Sequence, residues 1–193
     1  PDELLNIFDV AKEYGSEDLF IEVCSTSKIS FAGAGVSAIA ASEKNIAAIL
    51  SRMTVQTISH DKMNQMRHVR YFKNLDGIKA HMKKHADILR PKFEAVTNGL
   101  TEAFEGTGIA RWKNPNGGYF VSLYVMNGCA KRVGELCKAA GLTLTTVGAT
   151  YPYGIDPDDS NIRIAPSFPD VDELNKAVEL LCICVKLAAV EKL

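Results

Sequence analysis

Apolar residues in this chain follow two rhythms. Over long stretches they recur every three or four positions, the period of an amphipathic helix; in shorter ones they alternate or run together, as strands do. The helical rhythm predicts a short helix over 3–14 that ends near Gly15, a second from Asn45 to about Arg52, and a third from Lys62 to about Phe72. A polar break at Thr57-Ile58-Ser59-His60-Asp61 separates the last two. The longest stretch carries Leu75, Ile78, Met82, Leu89, Phe93, Val96, Leu100 and Phe104. As one helix it would be about 45 Å long, with Pro91 kinking it. Two more helices are predicted, over 130–140 with Gly141 as the stop, and from the capping pair Asp170 and Glu173 to near the C-terminus.

The strand rhythm is shorter. Leu19 to Cys24 is a nearly continuous apolar run, which suits a strand buried on both faces, and Val36 to Ala41 can form a second strand of small side chains. Gly118 to Val125 alternates, with Tyr119, Val121, Leu123 and Val125 on one face and Phe120, Ser122 and Tyr124 on the other. Strands are also expected over 142–147 and 161–165, on either side of a loop rich in Gly, Pro, Asp and Tyr. The back half therefore reads β-α-β-β-α, a compact α+β lobe. The front half offers only two strands, which want neighbours that these residues do not supply.

Composition narrows the function classes. With 22 basic and 23 acidic side chains there is no basic excess of the kind a nucleic-acid-binding surface carries. No run of 18 apolar residues exists, so no membrane-spanning helix is expected. The start, Pro1-Asp2-Glu3-Leu4, does not read as a signal peptide, and with no initiating Met the chain reads as a piece of something longer. Cys24, Cys129, Cys137, Cys182 and Cys184 are odd in number and form no C-x-x-C pair. They read as reduced, buried thiols of a cytoplasmic protein. His60, His68, His81 and His85 show no metal spacing, and no metal or other chemistry is assigned to them.

One segment invites chemistry. Lys28 directly follows the first apolar strand, and in open α/β sheets ligands bind beyond the carboxyl ends of strands. Ser25, Thr26 and Ser27 place three hydroxyls beside it, and Gly33 and Gly35 allow close backbone approach. Hydroxyls and exposed amides suit a phosphate ester, and a lysine at an apolar strand end suits a Schiff base. On these residues alone, a solvated lysine in a Ser/Gly turn is the competing reading.

The stretch Ser25-Thr26-Ser27-Lys28-Ile29-Ser30-Phe31-Ala32-Gly33-Ala34-Gly35 resembles the cofactor-lysine segment of fold-type-I pyridoxal-phosphate-dependent aminotransferases, and more narrowly a bacterial aspartate-aminotransferase-like branch. Asn64-Gln65-Met66-Arg67-His68, Pro91-Lys92-Phe93, Gly117-Gly118-Tyr119-Phe120 and Asn161-Ile162-Arg163-Ile164-Ala165-Pro166-Ser167 continue the resemblance, in order, across the chain. It implies an α/β fold made of the end of the large cofactor domain (1–74), an interdomain helix (75–105) and a complete α+β small domain (106–193). It also implies a transaminase that moves an amino group between an amino acid, aspartate or glutamate, and a 2-oxo acid.

The resemblance assigns roles as well. Lys28 holds pyridoxal 5'-phosphate as a Schiff base and later shuttles the proton. Ser25 contacts the phosphate, with Ser27 a second candidate. Arg163 grips the substrate α-carboxylate, the alternative for it being a salt bridge to Asp159. Tyr119 borders the substrate side, unless it is simply core. The turn holding Thr57, Ser59 and Lys62 reaches across a homodimer. One departure stands out: where many relatives carry a phosphate-binding arginine, eight residues past the lysine, this chain has Val36. The family's ring-stacking aromatic residue and its aspartate partner of the pyridine nitrogen have no counterpart here, so the 193 residues alone are expected to be poorly active. Other readings are a lyase or decarboxylase on the same scaffold, the effector domain of a transcription regulator, and a binding module without cofactor.

Overall fold

Residues 3–193 are described by the computed structural model of the chain, which divides between Ala86 and Asp87, inside its longest helix, into two compact units.

The unit over Glu3–Ala86 begins with α1 (Ile7–Glu13). It starts later than the periodicity suggests, because Asn6, in an extended conformation, accepts the Phe8 N–H at 3.1 Å and caps the helix there. After a 3₁₀ turn at Glu17–Leu19 come β1 (Ile21–Ser25) and β2 (Ser37–Ala41). They pair antiparallel from Ile21↔Ala41 to Ser25↔Ser37. Helix α2 (Glu43–Gln56) is capped by Ser42, and α3 (Lys62–Phe72) by Asp61, whose side chain accepts the Asn64 N–H at 2.9 Å. The expected burial of the first strand does not hold here: Ile21 is 55% and Val23 70% exposed. A sheet of two strands cannot cover both of its faces. Cys24 shares that exposure, against the expectation of a buried thiol.

Helix α4 (Leu75–Phe104) runs continuously through Pro91, whose missing N–H leaves the Asp87 carbonyl without its helical donor.

In the unit from Asp87 onward, β3 (Ala110–Trp112), β4 (Val121–Val125) and β5 (Asn161–Ile164) form an antiparallel sheet in the order β3-β4-β5. Helices α5 (Ala130–Ala139) and α6 (Val171–Lys192) complete the unit. Val96, Leu100 and Phe104 of α4 join Leu123, Ile162, Val133 and Leu181 in one core. Cys129, Cys137, Cys182 and Cys184 are buried in it; burial, with Cys184 beside it, pushes the Cys137 thiol up to about 12, so it stays protonated and inert. The cap expected at Asp170 is present, its carboxylate accepting the Glu173 N–H at 2.8 Å.

The element order here is β-β-α-β-α, not β-α-β-β-α. Strand β3 is three residues long, too short to show an alternation. The strand expected over 142–147 has no ladder partner among the described residues; Leu142, Leu144 and Val147 satisfy the apolar pattern by packing on the core. The strand expected from Gly118 begins at Val121, since Gly118 turns at φ +90°.

The loop into β5 is organised by Asp156. Its half-buried carboxylate accepts the N–H groups of Asp158 at 3.1 Å and of Ser160 and Asn161 at 2.8 Å each. Partial burial works to raise its pKa, but these backbone donors outweigh that and hold it below the ordinary carboxylate range. Asp156→Ala should therefore cost roughly 1–3 kcal/mol at pH 7 in urea unfolding. A depressed folded-state pKa stabilises above the unfolded value, about 3.9, so the wild-type advantage should shrink as pH falls below that value. An advantage unchanged at pH 2.5 would contradict this account.

Candidate functional site

The turn after β1 is closed at its neck. Thr26 N–H donates to the Val36 carbonyl at 2.8 Å, and Val36 N–H donates back to Thr26 Oγ1 at 2.8 Å. Within this loop the Ile29 and Ser30 N–H groups both donate to the Thr26 carbonyl, at 3.0 and 2.9 Å, and so wind a tight turn around Lys28. Ser25 Oγ and Ser27 Oγ lie 2.6 Å apart, and the Ser27 N–H donates to Ser25 Oγ at 3.1 Å. Ser25, Ser27 and Lys28 are exposed at the end of β1. Gly35 passes close beneath: a Cβ there would lie 3.1 Å from Ser27 Cα and 3.2 Å from its nitrogen, and would press on its hydroxyl. The backbone around the two serines thus has a shape that a larger residue would spoil.

Helix α3 grips this loop from outside. Asn64 Nδ2 donates to the carbonyls of Ala34 at 2.9 Å and Gly35 at 3.4 Å. One turn on, His68 is buried and reaches Ser30 Oγ at 2.9 Å and Thr26 Oγ1 at 3.3 Å through Nε2. Phe31 packs edge-on against His68 and Tyr71, and stacks with Phe72 at 5.9 Å. Residue spacing alone suggests no role for His68. The available signal was the four-residue step from Asn64 to His68 on one helix face, but nothing in the sequence says which loop that face meets.

In the second unit, Arg163 stands on β5 opposite Ser122 of β4. Its neighbours Ile162 and Ile164 are buried in the core, so the arginine projects from the other face, as the alternation predicts. Asp159 is not its partner: that carboxylate accepts the Lys131 N–H at 3.1 Å, at the start of α5. The guanidinium instead lies over the Phe120 ring, 4.5 Å from its centroid. Arg163 Nε is buried with no hydrogen-bond partner, a donor held in reserve. Arg163 also lines a pocket of about 160 Å³ with Thr143, Thr145 and Leu174.

Behind Arg163, buried Asn161 donates to Ser122 Oγ at 2.9 Å and accepts from Thr150 Oγ1 at 2.7 Å, which fixes the start of β5. Tyr119 is half-buried in the turn before β4, outside the strand face assigned to it from alternation. Ser25, Ser27 and Lys28 belong to the first unit; Tyr119 and Arg163 belong to the second. In the break before α3, Thr57 Oγ1 donates to the Ser59 carbonyl at 2.8 Å, and Ile58 is fully exposed. No helix among the described residues is long and apolar enough to cross a membrane.

A family model described as aspartate amino-transferase matches residues 1–193. A Mycolicibacterium smegmatis protein named as an aminotransferase is 43% identical over 191 residues, and an aspartate aminotransferase of Corynebacterium glutamicum is 42% identical over 189. The matches cover 99% and 98% of this chain but 45% and 44% of those proteins, so the chain spans a little under half their length. Among solved structures, an aspartate transaminase from Corynebacterium glutamicum superposes with a TM-score of 0.94 at 42% identity, over 99% of this chain and 45% of that one. An α-aminoadipate aminotransferase from Thermus thermophilus, solved with N-(5'-phosphopyridoxyl)-L-leucine, shares the fold at a TM-score of 0.78 and 19% identity, over 98% of this chain and 47% of that one.

Proposed function

The chain belongs to the aspartate aminotransferase family, and on that premise we propose that it carries the cofactor lysine and the carboxylate-gripping arginine of a pyridoxal-phosphate-dependent transaminase. The reaction moves an amino group between aspartate or glutamate and a 2-oxo acid. The observation that carries this reading is the Ser25–Lys28 turn, with an amine, two adjoining hydroxyls and a glycine-cleared backbone in one place.

These residues fit the cofactor. Ser25 and Ser27 offer hydroxyls to a phosphate, and Gly35 keeps the space around Ser27 clear. With Val36 where an arginine is common, the phosphate relies on hydroxyls and backbone amides. Pyridoxal phosphate, when bound, supplies an electron sink for the substrate α-carbon. The Lys28 Nζ would hold the cofactor covalently and, when free, would move the proton between the substrate α-carbon and the cofactor C4′ carbon. The Arg163 guanidinium would pair with the α-carboxylate through two parallel N–H bonds. Tyr119 borders the substrate.

In this reading 1–74 close the large domain, 75–105 link it to the small one, and 106–193 form the small domain. The native protein is a cytoplasmic homodimer, which accords with five unpaired cysteines and with an exposed Ile58 at the tip of the turn before α3.

The test is product analysis on the native polypeptide containing these residues, supplied with pyridoxal phosphate, aspartate and 2-oxoglutarate. Oxaloacetate and glutamate should form in equal amounts. Release of ammonia or carbon dioxide without glutamate would sink the transaminase reading in favour of a lyase or decarboxylase. Residues 1–193 alone should turn over poorly, because the β1–β2 ribbon leaves the Lys28 turn exposed.

A further inference from the structure

We propose that Thr26, Ser30 and His68 form a positioning device that sets the direction of Lys28. The proposal rests on the reading of Lys28 as the cofactor lysine and assigns its geometry to residues outside the contact set.

The argument starts from where the contacts fall. Thr26 and Ser30 lie two residues before and two after Lys28. Ser30 Oγ is 2.9 Å from the Thr26 carbonyl and 3.0 Å from Thr26 Oγ1, so the two ends of the turn are tied to each other. His68 Nε2 meets both hydroxyls, at 2.9 and 3.3 Å. Its Nδ1 lies 2.9 Å from the Asn64 carbonyl, an acceptor, so Nδ1 donates in that contact. Thr26 Oγ1 also accepts the Val36 N–H, which joins the turn to the neck of the loop.

Polar ties of this kind do something that packing does not. Phe31 already holds the loop against α3 through its contacts with His68, Tyr71 and Phe72. Aromatic packing secures a loop but lets it slide by fractions of an ångström. Hydrogen bonds with fixed lengths on both sides of Lys28 remove that freedom. His68 is only 8% exposed, and burying an imidazole is tolerated because both nitrogens are occupied. A lysine that must deliver a proton to one carbon and not its neighbour needs such support, since a misplacement of about 1 Å can cost on the order of 100-fold in rate.

The test uses the native polypeptide containing these residues, with Thr26→Val, which keeps the shape and removes the hydroxyl, and Thr26→Ser, which keeps the hydroxyl. Thr26→Val should lower kcat by roughly 10- to 100-fold while KM for the amino acid moves by less than about threefold. In cofactor-free protein, amide hydrogen exchange over 26–36 should quicken. Thr26→Ser should restore both. If Thr26→Val does not fold, Ser30→Ala decides on the same measurements. A kcat within twofold of the unmodified protein, or equal impairment in Thr26→Ser, overturns the proposal. Borohydride trapping separates the two layers: cofactor trapped on Lys28 with kcat unchanged in Thr26→Val sinks the positioning role alone. Failure to trap it on Lys28 in the unmodified protein sinks the underlying reading, and the positioning role with it.

Discussion

Replacing Lys28 with alanine in the native polypeptide should lower kcat by at least about 1,000-fold, with the protein folded and pyridoxal phosphate still bound, though no longer covalently. Two functions are lost together. The amine proposed to anchor the cofactor is gone, and so is the group proposed to move the proton, worth roughly 10²–10⁴ by itself. Lys28→Arg is the sharper variant, because it keeps the positive charge near the Ser25 and Ser27 hydroxyls. A guanidinium stays protonated at working pH and cannot take up the α-carbon proton. If charge at this position were what mattered, arginine would rescue. The expectation is that it does not, and that its kcat falls with that of alanine. Lys28 is exposed at the end of β1 in residues 1–193, so in these residues alone neither substitution should cost more than about 0.5 kcal/mol in urea unfolding. Activity of Lys28→Arg within tenfold of the unmodified protein would remove the lysine from the chemistry.

The part of the proposed site that is contiguous in the chain is the part a sequence can suggest. Ser25, Ser27 and Lys28 lie within four residues, and their surroundings are local: a strand before them and glycines after. Helix α3 was equally legible, because Asp61 caps it and its apolar step ends at Phe72, where the chain turns through Lys73 at φ +64°. What the sequence hid are the pairings at a distance. His68 meets Thr26 across 42 positions and Ser30 across 38, and no local pattern announces which turn a helix face will meet. Phe120 under Arg163 is hidden for a similar reason, since the two elements come together only in the β4–β5 ladder. The errors in the fold have a common source: apolar periodicity reports burial, not hydrogen bonding. Leu142, Leu144 and Val147 are apolar because they pack on the core, and no ladder follows from that. Conversely β1 is apolar as a buried strand would be, yet stands exposed in a two-stranded sheet.

Arg163→Gln should lower kcat/KM for the amino acid by roughly two orders of magnitude, an effect of about 3 kcal/mol, with much of the loss in KM. Arg163→Lys should recover little of it, because an ammonium is a point charge and cannot offer a carboxylate two parallel N–H bonds. The stability of the fold should move the other way or not at all. Arg163 Nε is buried without a partner, the guanidinium contacts Phe120, and Asp159 is engaged with Lys131, so the protein gains no ion pair from Asp159 here. A donor buried without an acceptor costs on the order of 1–3 kcal/mol. Arg163→Met, of similar length and without charge, should therefore leave urea stability unchanged or raise it by up to about 1 kcal/mol while abolishing the recognition of the α-carboxylate. That opposition between activity and stability is what distinguishes an arginine kept for a ligand from one kept for the fold. A drop in stability of more than about 2 kcal/mol in Arg163→Met, together with near-normal kcat/KM in Arg163→Gln, would make it a structural residue and remove it from the site.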